Sequence, residues 1–321
     1  MYYNLGEVWG GCSFAIAAPI QSMTTYTGYS FDSHFLTLAD GLRYHYIDEQ
    51  PPPSAEDRPV LLMVHGNPTW SYFWRSLITQ FRDRYRCIAV DHIGCGLSDK
   101  PGESEYPFTL EQRIADLVQL IEHLDFKRII LIAHDWGGTI GMGAATRLPD
   151  RFEQFVFMNT AAFRNTDCPM RIRLCRMPFF GRFAIQGLNL FSLGTLWMAS
   201  ANRKNLTREV RSALLAPYHS WNNRLAVYRF VQDIPLSPRH PSYATLQKIE
   251  ESLPMFREYP VCLIWGMLDW VFSPEYLKRF LQFFPEADVH RLEKAHHLLL
   301  EDAPEEVAAA LETFLKMTKK G

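Results

Sequence analysis

Residues 128–147 read RIILIAHDWGGTIGMGAATR, an apolar run that passes through a turn of small residues into a helical stretch. The run is short and apolar at successive positions, so it reads as a strand buried on both faces of a sheet. A strand that turns at once into a helix ends at the carboxyl edge of such a sheet, where open α/β sheets bind ligands. Asp135 stands at that corner, with Ala133 and Gly137 two positions to either side. The small residues are required because the turn is sharp and larger side chains would collide with the helix. Such a turn lifts its central side chain above the sheet, beside helix N–H groups that favour an anion. The plainer alternative is an aspartate that merely caps the helix.

The same alternation runs through most of the chain. A hairpin is predicted over 34–49, turning at Asp40-Gly41. Strands follow at 60–66, 86–92, 152–160, 261–267 and 287–293, with helices over 69–81, 109–124, 274–283 and from Pro304. This predicts a mostly parallel, doubly wound sheet with helices on both faces. Residues 161–240 break the pattern: they are helical, aromatic and rich in arginine. They are read as a cap inserted above the carboxyl edge, leaving 31–160 and 241–321 as the core. Residues 1–30 are read as an N-terminal extension, disordered in the plainest reading. Cys12–Ile20 is mildly apolar, but no Lys or Arg precedes it and Glu7 does, so a signal peptide is disfavoured. A natural start at Met23 is an alternative.

Composition narrows the class. The chain is 47% apolar with a net charge of -2, which disfavours a nucleic-acid binder. Its six cysteines contain no CxxC pair, so they read as reduced residues of a cytoplasmic protein. No HExxH motif occurs, and neither metal nor cofactor is expected. No run reaches the roughly 20 apolar residues of a membrane-spanning helix.

Three further segments sit where strands should end. His65-Gly66-Asn67-Pro68 closes an early strand, the place for part of an oxyanion hole. Asp269 follows the strand at 261–267, and His297 follows that at 287–293. Nucleophile, acid and histidine in that chain order are the arrangement of an α/β-hydrolase fold. His296 competes with His297 by adjacency.

The strings HGNPTWSYFWR (65–75), DHIGCGLSDKP (91–101) and HDWGG (134–138) resemble those of haloalkane dehalogenases. With its acid at Asp269, the chain is similar to their third subfamily. A second subfamily places a glutamate after the strand at 152–160, where this chain has Thr160, Ala161 and Ala162, with no carboxylate before Asp167. The string KAHHLLLED resembles the family's AGHxxxED, which aligns His297 with the catalytic base and puts His296 at a glycine position. The resemblance implies that Asp135 attacks an sp3 carbon to give an alkyl ester. His297, oriented by Asp269, then activates the water that cleaves the ester. It implies an oxyanion hole from the backbone N–H groups of Asn67 and Trp136, and a halide site from their side chains. It also implies a small apolar substrate, halide and water as partners, and a homo-oligomer. The third subfamily further resembles the β-lactone decarboxylases of bacterial long-chain olefin synthesis, whose donors would hold a carboxylate. Hydrolytic dehalogenation is therefore the first expectation and β-lactone decarboxylation the second. An epoxide hydrolase is a third, but it calls for an aromatic residue at the Asn67 position and paired cap tyrosines. Tyr218 and Tyr228 show no partner motif. A non-catalytic binding protein on this fold would ordinarily have lost one of Asp135, Asp269 or His297.

Within 161–240, Phe163, Phe179, Phe183 and Trp197 are the candidate pocket residues. Arg164, Arg171, Arg173, Arg176 and Arg182 face only Asp167 in composition. They read as a solvated face, with lipid headgroups, a partner or an acidic substrate as alternatives.

Overall fold

A computed structural model describes residues 26–51, 59–165, 168–202 and 204–317. Most of the expected extension, the 12–20 segment, Met23 and Asp167 lie outside them. Residues 26–30, assigned above to the extension, pack against the core instead. The rings of Tyr26 and Tyr29 lie 5.3 and 5.2 Å from that of Trp70, and the Tyr29 and Ser71 hydroxyls are hydrogen-bonded at 2.6 Å.

Eight strands form one sheet: β1 Ser33–Thr37, β2 Arg43–Glu49, β3 Val60–Val64, β4 Arg86–Val90, β5 Ile129–Asp135, β6 Phe152–Thr160, β7 Val261–Gly266 and β8 Asp288–Leu292. Their order across the sheet is β1-β2-β4-β3-β5-β6-β7-β8. The first two pairings are antiparallel and the remainder parallel. The helices are α1 Arg75–Phe81, α2 Leu110–His123, α3 Trp136–Arg147, α4 Met170–Cys175, α5 Phe180–Arg182, α6 Leu190–Met198, α7 Arg208–Leu215, α8 Leu225–Gln232, α9 Tyr243–Ser252, α10 Pro274–Phe283, α11 Leu299–Asp302 and α12 Pro304–Met317.

The period of two explains the layering. On β5, Ile129, Leu131 and Ala133 join one apolar cluster with residues of α2, α3, α9 and α10. Ile130 and Ile132 join the other, with residues of α1 and α12. Burying each large aliphatic side chain contributes about 1.5–3 kcal/mol, so both faces must be covered for the strand to persist.

Two elements differ from the sequence reading. The helix expected over 69–81 starts as a 3-10 turn, Ser71–Trp74, whose three aromatics are all buried. Aromatics at three successive positions cannot share one α-helical face. Helix α9 was not anticipated: only Leu246 and Ile249 in it are buried, so its apolar stripe is too thin to read.

Between β6 and β7 the described residues hold helices α4–α9 and no named strand. This segment is tied to the β3 loop by three bonds to carbonyls. The Trp70 indole N–H donates to Ala213, the Tyr218 hydroxyl to Thr69, and the Asn67 amide to Val227. No helix among the described residues is long and apolar enough to cross a membrane.

Candidate active site

Asp135 sits between β5 and α3 with φ 53° and ψ -124°, a conformation that L-residues adopt only under constraint. Its neighbours explain how that is held. A Cβ at Gly137 would run into the Val64 carbonyl, and one at Gly66 into the Asp135 carboxylate. The Thr160 hydroxyl donates to the Asp135 carbonyl oxygen and accepts from the Gly138 N–H at 3.1 Å.

The backbone N–H of Asn67 donates to Asp135 Oδ1 at 2.6 Å. The other oxygen lies 3.6 Å from His297 Nε2, and His297 Nδ1 is 2.8 Å from Asp269 Oδ2. Asp269 Oδ1 accepts from the Val271 N–H at 2.7 Å, which fixes the carboxylate in its turn. All three side chains are buried. Asp135, Asp269 and His297 thus come together from three strand ends, as their chain order suggested, and His297 rather than His296 faces the two carboxylates.

Burial disfavours charge, and the neighbours decide how far. Burial is the largest influence on Asp135 and raises its pKa, against the lowering effects of His297 and the N–H groups of Asn67 and Trp136. For His297, burial is the largest single influence and pulls downward. The charge and hydrogen bond of Asp269, followed by Asp135, outweigh it, so the pKa is raised. His134 is held neutral, first by burial and then by the nearby His297, and its Nε2 lies 2.9 Å from the His297 carbonyl oxygen.

Supporting contacts extend outward. Asn159 brackets Gly266: its amide donates to the Gly266 carbonyl at 3.1 Å and accepts from the Gly266 N–H at 2.7 Å. That anchors the turn carrying Asp269. The Phe272 ring stacks on His297 at 5.7 Å. After His297, Glu301 makes two bonds to Arg75, at 2.6 and 2.7 Å. Asp302 accepts from the N–H groups of His296 and Ala201. The ED of the sequence string is therefore a clamp that holds the histidine loop to α1 and to the helical segment.

The Trp136 ring packs 5.4 Å from Phe230 and lines the cavity over Asp135. Asn67 uses one of its amide hydrogens on Val227 and keeps a second.

An apolar cavity of about 190 Å³ opens over Asp135, many times the roughly 10–15 Å³ that one water needs. Asn67, Trp136 and His297 line its floor. Phe163, Cys168, Ile172, Phe191, Leu246, Trp270 and Tyr276 line its walls. Of the four candidate pocket residues only Phe163 is among them. Phe179, Phe183 and Trp197 lie outside the cavity and are exposed, so those three expectations are corrected. An aromatic residue on a short helix has no period long enough to show which way it faces. Trp270, Phe272 and Tyr276 were missed; their nearness to Asp269 was the available signal. Tyr218 is buried with its hydroxyl on Thr69, and neither it nor Tyr228 lines the cavity.

Residues 59–304 match the family model described as alpha/beta hydrolase fold. The chain is 41% identical to a cis-3-alkyl-4-alkyloxetan-2-one decarboxylase of Shewanella oneidensis, over 90% of each chain. It is 32% identical to haloalkane dehalogenase 2 of Mycobacterium bovis, over 88% of this chain and 94% of that one. A crystal structure of an ancestral haloalkane dehalogenase superposes with a TM-score of 0.80 at 26% identity, covering 90% of this chain and all of the other. This protein belongs to the α/β-hydrolase family, among the relatives of the haloalkane dehalogenases and the oxetanone decarboxylases.

Proposed function

We propose that the protein converts a cis-3,4-dialkyl β-lactone into an alkene and carbon dioxide, with Asp135 as nucleophile. The observation that carries this is a carboxylate, not a hydroxyl, at the turn after β5, facing an apolar cavity. A carboxylate displaces a leaving group from sp3 carbon without prior deprotonation. The identity of 41% to the Shewanella decarboxylase, against 32% to the mycobacterial dehalogenase, favours the lactone over the halide as the bond to be broken.

The step balances without water. A carboxylate oxygen of Asp135 bonds to ring carbon C4. The C4–O bond breaks, and its electron pair stays on the ring oxygen as part of a carboxylate borne by C3. The bond from C3 to that carboxylate then breaks. Its pair forms the double bond between C3 and C4, carbon dioxide departs, and the C4–O bond to Asp135 returns its pair to the aspartate. In this reading the Trp136 indole N–H and the second Asn67 amide hydrogen hold the carboxylate in between. Imidazolium at His297 stabilises the aspartate as it departs.

The halide reading stands second, supported by Trp136 lining the cavity beside Asp135 and by the 32% relative. There His297 must take a proton from water. Esterification assists it, because it removes one of the anions that raise the His297 pKa.

Incubation with a cis-3,4-dialkyl oxetan-2-one, 1-bromobutane and 1,2-dibromoethane in parallel separates the two. The expected result is alkene from the lactone with little bromide. Bromide release without alkene would put the halide reading first. We place the protein in the cytoplasm, in keeping with five unpaired cysteines among the described residues.

A further inference from the structure

Among the described residues, sixteen large apolar side chains are exposed, and eleven of them lie between Met170 and Met198. On α6, Leu190, Leu193 and Trp197 fall at i, i+3 and i+7 and face outward, while Ser192 and Leu196 on the opposite side are buried. A surface helix ordinarily turns its apolar stripe to the core alone, whereas α6 buries Leu196 and is apolar on its exposed side as well. Phe179 adds a ring 90% exposed, at a residue with φ 60°. Monomeric proteins rarely present apolar surface in such concentration without something to meet it.

Charge narrows what meets it. Residues 168–198 contain four arginines and no acidic residue, within a chain of net charge -2. Arg171 is exposed, with its guanidinium 5.3 Å from the Trp270 ring. Arg182 is half-buried and reaches Glu103 at 3.4 Å. Aromatic and aliphatic side chains beside arginines, in a segment with no carboxylate of its own, match an anionic lipid surface. A protein partner of opposite charge would match the arginines, but not the spread of exposed Phe, Leu and Met.

The cavity supplies the second observation. Leu190 and Met198 are exposed and also line the cavity over Asp135, as do Arg171 and Gly194. The apolar patch and the cavity wall are therefore continuous through α6.

We propose that the α4–α6 face docks on anionic phospholipid bilayers, so that the cavity mouth opens toward the acyl chains and apolar substrate enters from the membrane. This holds whichever bond Asp135 breaks, since it rests on the outer face of the segment and not on the strand ends.

The test is flotation of the full chain with vesicles of phosphatidylcholine containing phosphatidylglycerol, against phosphatidylcholine alone. The protein should float with the anionic vesicles, and raised salt should weaken the association. Replacing Phe179, Phe180 and Leu193 together by serine should lower partitioning at least about tenfold. Hydrogen exchange of unmodified protein covers the case of a triple variant that folds poorly: anionic vesicles should slow exchange in 170–198. Wild-type protein that stays with the protein fraction would overturn the proposal, as would equal flotation of the triple variant. Full protection of 170–198 in lipid-free protein, with a dimer by light scattering, would assign the patch to a second copy and overturn it as well.

Discussion

The ends of β3, β5, β7 and β8 and the outer face of α4–α6 follow opposite rules. At the strand ends, polar side chains are buried and held by short bonds: Asn67 N–H to Asp135 at 2.6 Å, Asp269 to His297 at 2.8 Å. On α4–α6, apolar side chains are exposed. Buried polar groups cost free energy unless satisfied, so each at the strand ends has a determined position. An exposed phenyl ring has no such constraint. The two regions should therefore respond differently to substitution.

The largest effect is expected for Asp135→Asn, which is nearly isosteric and removes the nucleophile. Turnover of the lactone should fall by about 10⁴-fold or more, measured as alkene in single turnover. Activity retained in the Asp135→Asn variant would mean that the strand-end site is structural only.

Asp269→Asn should cost roughly 10²–10⁴-fold and also shift the pH profile. Asp269 is the main group raising the His297 pKa, so its neutralisation lets burial pull that pKa down. If the imidazolium assists, as in the lactone reading, activity is present below the His297 pKa and the alkaline limb moves to lower pH. If neutral His297 is the base, activity is present above that pKa and the acid limb moves to lower pH. An unmoved profile would detach Asp269 from the histidine.

Trp136→Phe keeps most of the ring and removes the indole N–H. A hydrogen bond to a charged acceptor is worth about 1.5–3 kcal/mol, so carbon–oxygen or carbon–halogen cleavage should slow roughly ten- to a hundredfold. Unchanged cleavage would remove Trp136 from the anion site.

The smallest effect is expected for Phe179→Ser. The ring lies outside the cavity, and stability should change by no more than about 0.5 kcal/mol by thermal melting. A change in chain-length preference would restore it to the pocket wall.

The same contrast governs what could be read in advance. Ala133, Asp135 and Gly137 were legible because a sharp turn tolerates few residue types. Asp269 and His297 were legible because the order of strands fixes the order of their ends. Asn159 was not, since its role is to bracket Gly266 across two strands, and nothing local marks that. Phe179, Phe183 and Trp197 were misplaced because aromatic content says nothing of direction on helices of three to nine residues. Arg75 and Glu301 meet across 226 positions, and only the fold brings them together.

A cis-3,4-dialkyl oxetan-2-one carrying ¹⁸O at the ring oxygen shows whether Asp135 attacks the tetrahedral ring carbon. Attack by Asp135 at C4 followed by loss of carbon dioxide gives alkene as the organic product, with no hydroxy acid. A hydroxy acid with the label in its carboxylate would keep attack at carbon but let water finish the reaction. A hydroxy acid with the label on its hydroxyl would mean attack at the carbonyl, and would rule out Asp135 as a nucleophile toward tetrahedral carbon.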